Sequence, residues 1–194
     1  MQRKRLVLAS GSAYRRALLA RLKVPFEWRA PEIDEGLLRG EAPQARAERL
    51  AADKARALRS AFPGACLIGS DQVAVCGDAL LAKPGTARSA REQLERCAGR
   101  TVDFFTAACV IDLESGLAQA HVDRTAVRLR RLSSEQIERY VAVDEPYDCA
   151  GAFKAESLGI ALFERADSSD PTALIGLPLI WLAAALTRAG IEVP

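Results

Sequence analysis

The sequence predicts an α/β protein built on a mixed, mostly antiparallel twisted sheet flanked by helices. Three observations carry this. Short apolar runs alternate with stretches of helical spacing along the chain. Turn-forming residues close two of those runs back onto partners, which places antiparallel pairs in the sheet. The chain has 194 residues, 49% of them hydrophobic and 27% charged. That suits one large domain or two small lobes sharing a core, burying roughly 70% of the unfolded surface.

The elements follow in order. Leu6-Val7-Leu8-Ala9 reads as a short buried strand. Ser10-Gly11-Ser12 supplies turn chemistry and a helix cap, and Ala17, Leu18 and Leu22 recur at helical spacing through residues 14–22. Pro43 suits a first helical turn, opening a helix over 43–61 whose inward face carries Ala47, Leu50, Ala51, Lys54, Ala57 and Leu58. Residues 65–76 form a strong strand, which Gly77-Asp78 turns onto Ala79-Leu80-Leu81. Lys83-Pro84-Gly85 breaks the pattern before a helix over 86–98. Strands over 101–113 and 117–129 flank the turn Glu114-Ser115-Gly116. Ser133 with Gln136 three residues on resembles a capping box, opening a helix to about residue 143. A late strand is expected over 160–164 and a final apolar helix over 178–189.

Composition excludes several classes. A net charge of +2 is too mild to signal nucleic-acid binding. The five cysteines, Cys66, Cys76, Cys97, Cys109 and Cys149, contain no Cys-x-x-Cys pair, and most sit in apolar runs as buried reduced thiols. The apolar stretch after the basic N-terminus is far too short for a signal peptide or a membrane span, so no membrane association is expected and the cytoplasm is the expected compartment.

Several side chains stand out. Asp71 interrupts an otherwise apolar strand, where a carboxylate is costly unless it meets a cation or metal. Strand context alone fits a structural aspartate equally well. Arg15 and Arg16 follow the Ser10-Gly11-Ser12 turn, where guanidiniums and helix-start amides could cradle a polyphosphate. By themselves two solvated arginines explain that pattern better, and it is neither a Walker A loop nor a Rossmann fingerprint. Lys54 points inward from its helix, and Lys83 sits in a loop. Glu32, Asp34 and Glu35 form an acidic cluster of a kind that suits magnesium or manganese, although a plain charged loop accounts for it too. His121 is the only histidine and has no nucleophile motif nearby, which argues against acyl transfer.

Taken in order, Leu8-Ala9-Ser10-Gly11-Ser12-Ala13-Tyr14-Arg15-Arg16, Ala30-Pro31-Glu32-Ile33-Asp34-Glu35, Gly69-Ser70-Asp71-Gln72-Val73, Lys83-Pro84, Gly99-Arg100-Thr101, Cys149-Ala150-Gly151-Ala152-Phe153-Lys154-Ala155-Glu156 and Leu174-Ile175-Gly176-Leu177-Pro178 resemble the Maf family of nucleoside triphosphate pyrophosphatases. The resemblance spans nearly the whole chain, and the ordered set is specific where each piece alone is weak. One departure is visible: Ala13 stands where the family usually has proline, which would mainly preset the helix start.

The resemblance implies a single Maf/ITPase-like domain over 1–194 with two lobes around a central cleft. It implies hydrolysis between the α- and β-phosphates to a monophosphate and diphosphate, with Mg2+ or Mn2+ as cofactor. Asp71 would be the water-activating base or a metal ligand, with Glu32 at the metal or orienting water. Ser10, Ser12, Arg15, Arg16, Lys54 and Lys83 would hold the triphosphate. Tyr14, Gln72 and Glu156 resemble the branch acting on 7-methyl-GTP rather than that acting on dTTP and UTP. An aromatic ring can stack on the cationic methylated base, and a glutamate can accept from the guanine N1 and N2 donors. Partners would be small nucleoside triphosphates, and a homodimer is consistent with the family. The rival class is a non-enzymatic nucleotide sensor, since Maf proteins are associated with arrest of septum formation. A further rival, a nucleic-acid binder, lacks an interleaved aromatic platform.

Overall fold

The structure is a computed structural model and describes residues 4–193. It opens with β1 (Leu6–Ala9), buried along its whole length. A strand apolar on both faces belongs inside a parallel arrangement, and β1 pairs in parallel with β2 (Glu27–Trp28) and with β3 (Cys66–Cys76). Between β1 and β2 lies α1 (Ala13–Ala20), capped by the Ser12 side chain, which accepts from the Arg15 N–H. The missing proline at Ala13 therefore leaves the helix start intact. β2 was not expected: two exposed residues leave no readable periodicity.

α2 (Pro43–Ala57) begins on its proline and buries Ala47, Leu50, Ala51, Lys54 and Ala55. It ends four residues short of the expected boundary, and Ala55 rather than Ala57 faces inward. β4 (Ala79–Leu81) runs antiparallel to β3, with Ala74 opposite Leu81, after a turn at Gly77 whose φ is +62°. α3 (Ala87–Cys97) is capped by Thr86. β5 (Thr101–Asp112) and β6 (Ala118–Leu129) flank the expected turn. α4 (Ser134–Asp144) starts on the Ser133/Gln136 capping box and stops where Glu145 turns left-handed at φ +44°. β7 (Phe163–Asp167) pairs antiparallel with β6, and α5 (Leu179–Arg188) closes the chain. Among the described residues the sheet has seven strands in the order β2-β1-β3-β5-β6-β7, with β4 on β3.

The strand expected over 160–164 is displaced. Leu158–Leu162 form a 3₁₀ turn and β7 starts at Phe163. Gly159 packs so closely on the preceding turn that a Cβ there would lie 2.4 Å from the Lys154 carbonyl oxygen. A short apolar run such as Ile160-Ala161-Leu162 does not distinguish the two.

Contacts divide the chain into two compact units. The first comprises residues up to Gln72, Thr106–Asp123 and the chain from Asp170 onward. Its core joins Leu6, Leu8, Leu18, Ile68, Val110, Leu182 and Leu186. The second comprises Val73–Phe105 and Arg124–Ser169. There Phe153 meets both Phe104 and Phe163 edge-on, at centroid distances of 5.4 and 4.9 Å. All five cysteines carry free thiols. Burial raises the thiols of Cys66 and Cys97 to about 12, which keeps them protonated and inert. Among the described residues no helix is long and apolar enough to cross a membrane.

Candidate active site

The first unit holds a cluster of charge around Asp71. β3 presents alternate residues to opposite faces. Gly69 and Asp71 face α2, while Ser70 and Gln72 face the segment 173–176. A Cβ at Gly69 would lie 2.0 Å from the Ala51 carbonyl oxygen, so α2 rests directly on the strand backbone. One helical turn further on, Lys54 meets Asp71, with its Nζ 2.5 Å from Asp71 Oδ1. The same ammonium lies 2.8 Å from Glu35 Oε1. Asp71 and Lys54 are each only 8% exposed, and burial of both charges is sustained by this pairing.

Arg15 adds the second cation. Its Nε donates to the Gly176 carbonyl at 2.9 Å. Burial pushes its pKa below the ordinary arginine value, while the negative charges of Asp71 and Glu35 pull it back up. Arg16 takes a different posture: its Nη1 donates to the Gly11 carbonyl at 2.9 Å, and its guanidinium lies 4.0 Å over the ring of Trp28. Ser10 Oγ accepts from the Ser12 N–H at 3.1 Å, and Ser12 Oγ caps α1. Ser10, Ser12, Arg15 and Arg16 thus share one turn and one helix start, each engaged with a partner inside the protein.

Gln72 and its neighbours fasten the segment 173–176. The Gln72 amide nitrogen donates to the carbonyls of Ala173 and Leu174 and to Thr106 Oγ1, at 3.1, 3.0 and 2.9 Å. Thr106 Oγ1 in turn donates to the Ala173 carbonyl, and Ser70 Oγ to the Gly176 carbonyl. The Gln72 donors are therefore engaged inside the protein, and its amide oxygen is what it can offer a ligand. Asp170 and Thr172 secure the far end of the segment by accepting from the Ile180 and Leu179 N–H groups at the start of α5.

The remaining candidates are placed differently. Glu32 is exposed on the loop that carries Glu35, and Glu35 is the carboxylate brought to Lys54. Tyr14 is half-buried on the first turn of α1. Lys83 and Glu156 belong to the second unit, both exposed. The Lys83 loop is held by Gln93 Nε2, which donates to the Ala82 carbonyl at 2.8 Å. Glu156 sits in a turn beside Lys154, whose Nζ donates to the Asp144 carbonyl at 2.7 Å. His121 stacks on Trp181, with centroids 5.4 Å apart. Sequence reasoning missed Thr106, one threonine in an ordinary strand, and the carbonyls of 173–176, because backbone acceptors carry no side-chain signature.

The oxygen set suits a hard divalent cation. Sharing one ammonium places Asp71 Oδ1 and Glu35 Oε1 no more than 5.3 Å apart, the sum of the two contacts. A magnesium ion touching both would need them about 3–4 Å apart. Among the described residues no group of three or more His, Cys, Asp or Glu side chains forms a closed metal site. One or two carboxylates completed by substrate phosphates is the usual way such ions are held.

Fold and site together define an α/β protein with a buried carboxylate paired to a lysine beside an arginine-bearing helix start. The chain belongs to the Maf family: the profile of the Maf-like protein family matches residues 5–189. Its relatives include proteins named 7-methyl-GTP pyrophosphatase. That of Pseudomonas putida is 51% identical over 97% of this chain and 98% of its own. That of Xanthomonas campestris is 53% identical over 98% of each, and that of Pseudomonas fluorescens 48% identical over 97% of this chain and 98% of its own. Among solved structures, protein VC0702 from Vibrio cholerae aligns over 71% of this chain and 70% of its own, at 11% identity and a TM-score of 0.39, too low a likeness to carry an inference.

Proposed function

We propose that the protein is a nucleoside triphosphate pyrophosphatase that hydrolyses 7-methyl-GTP to 7-methyl-GMP and diphosphate, clearing modified nucleotides. The buried Lys54–Asp71 pair beside the Ser10–Arg16 cradle carries the reaction class. The near-full-length likeness to relatives named for 7-methyl-GTP supports the substrate.

In this reading Asp71 accepts the proton of the attacking water, and Lys54 orients its carboxylate. Arg15, fixed by Gly176, holds one phosphate edge. Arg16, Ser10, Ser12 and Lys54 complete the neutralisation, as phosphoryl transfer requires positioning and charge compensation more than covalent help. Mg2+ or Mn2+ held by Asp71 and Glu35 with the substrate phosphates would supply further charge and a more acidic water. Glu32, three residues earlier on the loop, is assigned to the metal or to orienting water. Lys83 as a phosphate ligand, Tyr14, Gln72 and Glu156 as specificity residues, the two-lobed domain and the homodimer rest on the family resemblance. Five free thiols fit the reducing cytoplasm as the proposed location.

Diphosphate release from 7-methyl-GTP, GTP, dTTP and UTP, each titrated with Mg2+ and Mn2+, tests the reading. The methylated nucleotide should have the highest kcat/KM. Binding without hydrolysis of any of them would overturn it in favour of a sensor.

A further inference from the structure

We propose that Trp28 is the plane on which the methylated base stacks, and that Arg16 occupies this plane until substrate displaces it. This rests on the 7-methyl-GTP reading above.

Trp28 is 52% exposed. A single exposed apolar side chain is ordinary, so exposure alone decides nothing. What singles Trp28 out is what lies on it. The Arg16 guanidinium, a planar delocalised cation, rests 4.0 Å from the ring centroid. Indole is the side chain that best attracts such a cation, through its electron-rich face. A guanine methylated at N7 is also a planar delocalised cation and is larger. Neutral guanine, thymine and uracil share the shape but lack the charge. Replacing Arg16 on this ring therefore keeps a cation on the indole face for the methylated base and loses it for the others.

The position fits a nucleotide bound at the cradle. Trp28 pairs with Leu8, and Leu8 with Ile68, so Trp28 lies two strands from the strand bearing Asp71. Two strand spacings across and the three residues from Ile68 to Asp71 along the strand make about 14 Å, within the length of an extended nucleoside triphosphate. The residues after Trp28 run along the cradle turn: Arg29 N–H donates to the Leu8 carbonyl, and a Cβ on Gly11 would lie 3.4 Å from Ala30 Cβ. Arg16 is also bonded to the Gly11 carbonyl. Leaving the ring therefore frees its guanidinium next to the phosphates without taking it away from them. Arg15 has no such freedom, being tied to Gly176. Recognition of the base and closure of Arg16 on the triphosphate become one exchange.

The test uses the intact chain with W28F and W28L. The ratio of kcat/KM for 7-methyl-GTP over GTP should fall roughly tenfold or more in W28L and only partly in W28F, which keeps an aromatic face. The α,β-imido analogue of 7-methyl-GTP should quench tryptophan fluorescence in the unmodified protein. In W28F only Trp181 remains, and the quench should vanish. An unchanged ratio in W28L with retained turnover, or equal quenching in W28F, would overturn the role of Trp28. Loss of the ratio in Tyr14→Leu but not W28L would move the stacking plane to Tyr14. No hydrolysis of 7-methyl-GTP by the unmodified protein would instead refute the substrate reading beneath it.

Discussion

Ala51 and Gly69 touch where a side chain would have stood: a Cβ on Gly69 would meet the Ala51 carbonyl oxygen at 2.0 Å. This contact sets the height of α2 above β3, and so the distance from Lys54 to Asp71. Gly69→Ala must lift the helix. The variant should lose roughly 1–3 kcal/mol of stability and most of its turnover, checked by urea denaturation and diphosphate release. Wild-type values of both would show that the contact does not position the pair.

The Lys54–Asp71 pair gives an asymmetric expectation. Asp71→Asn should keep the fold and lose about a hundredfold or more in turnover. Lys54→Met strands two carboxylates beside each other and should cost roughly 3 kcal/mol. Adding Asp71→Asn to Lys54→Met should restore part of that stability, because one buried charge is removed with its partner. Strict additivity in thermal unfolding would mean the two groups do not interact.

Gln72 and Glu156 should separate under mutation. Gln72→Leu removes the amide donor of the Leu174 carbonyl, while Ala173 keeps Thr106, at a cost of roughly 1–3 kcal/mol. Glu156 is exposed, so Glu156→Gln should leave stability alone and lower the preference for methylated guanine over pyrimidine nucleotides. Substrate ranking unchanged in Glu156→Gln would remove it from the specificity set.

Asp112 should govern acid stability. Burial alone would raise its pKa, but hydrogen bonds from Lys4, Ser115 and the Glu114 N–H outweigh this and hold it below the ordinary value. A depressed carboxyl contributes stability above its unfolded pKa near 3.9, lost as pH falls through the folded value. Lys4 is raised by the same bond, so its contribution is complete below its ordinary value and is lost only as pH climbs beyond it. Asp112→Asn should therefore flatten the fall in stability below about pH 4. Urea midpoints from pH 3 to 7 check this, and an unaltered slope would point to other carboxylates.

Much of the fold was readable because its signals are local. The Ser133/Gln136 box, the Gly77 turn and the inward stripe of α2 each lie within a few residues of what they specify. The strand at Phe163 was misplaced because Ile160-Ala161-Leu162 is too short an apolar run to show a period, even though what decided it, Gly159 against the Lys154 carbonyl, lies only five residues away. The site divides the same way. Asp71 and the Ser10–Arg16 turn stood out as charges and caps in the wrong surroundings. Glu35 as the partner of Lys54, and Trp28 under Arg16, were set by how a loop and a two-residue strand fold back, which no spacing encodes.

The segment 173–176 receives hydrogen bonds from Arg15, Ser70, Gln72 and Thr106, side chains that are all synthesised at least sixty residues earlier. While the ribosome is still making the protein, those donors exist but their acceptors do not. Arg15 cannot be fixed nor Gln72 satisfied until segment 173–176 emerges. The growing chain therefore carries Arg15, Ser70, Gln72 and Thr106 without these acceptors until segment 173–176 has been made, and their geometry is a late product of synthesis rather than an early one.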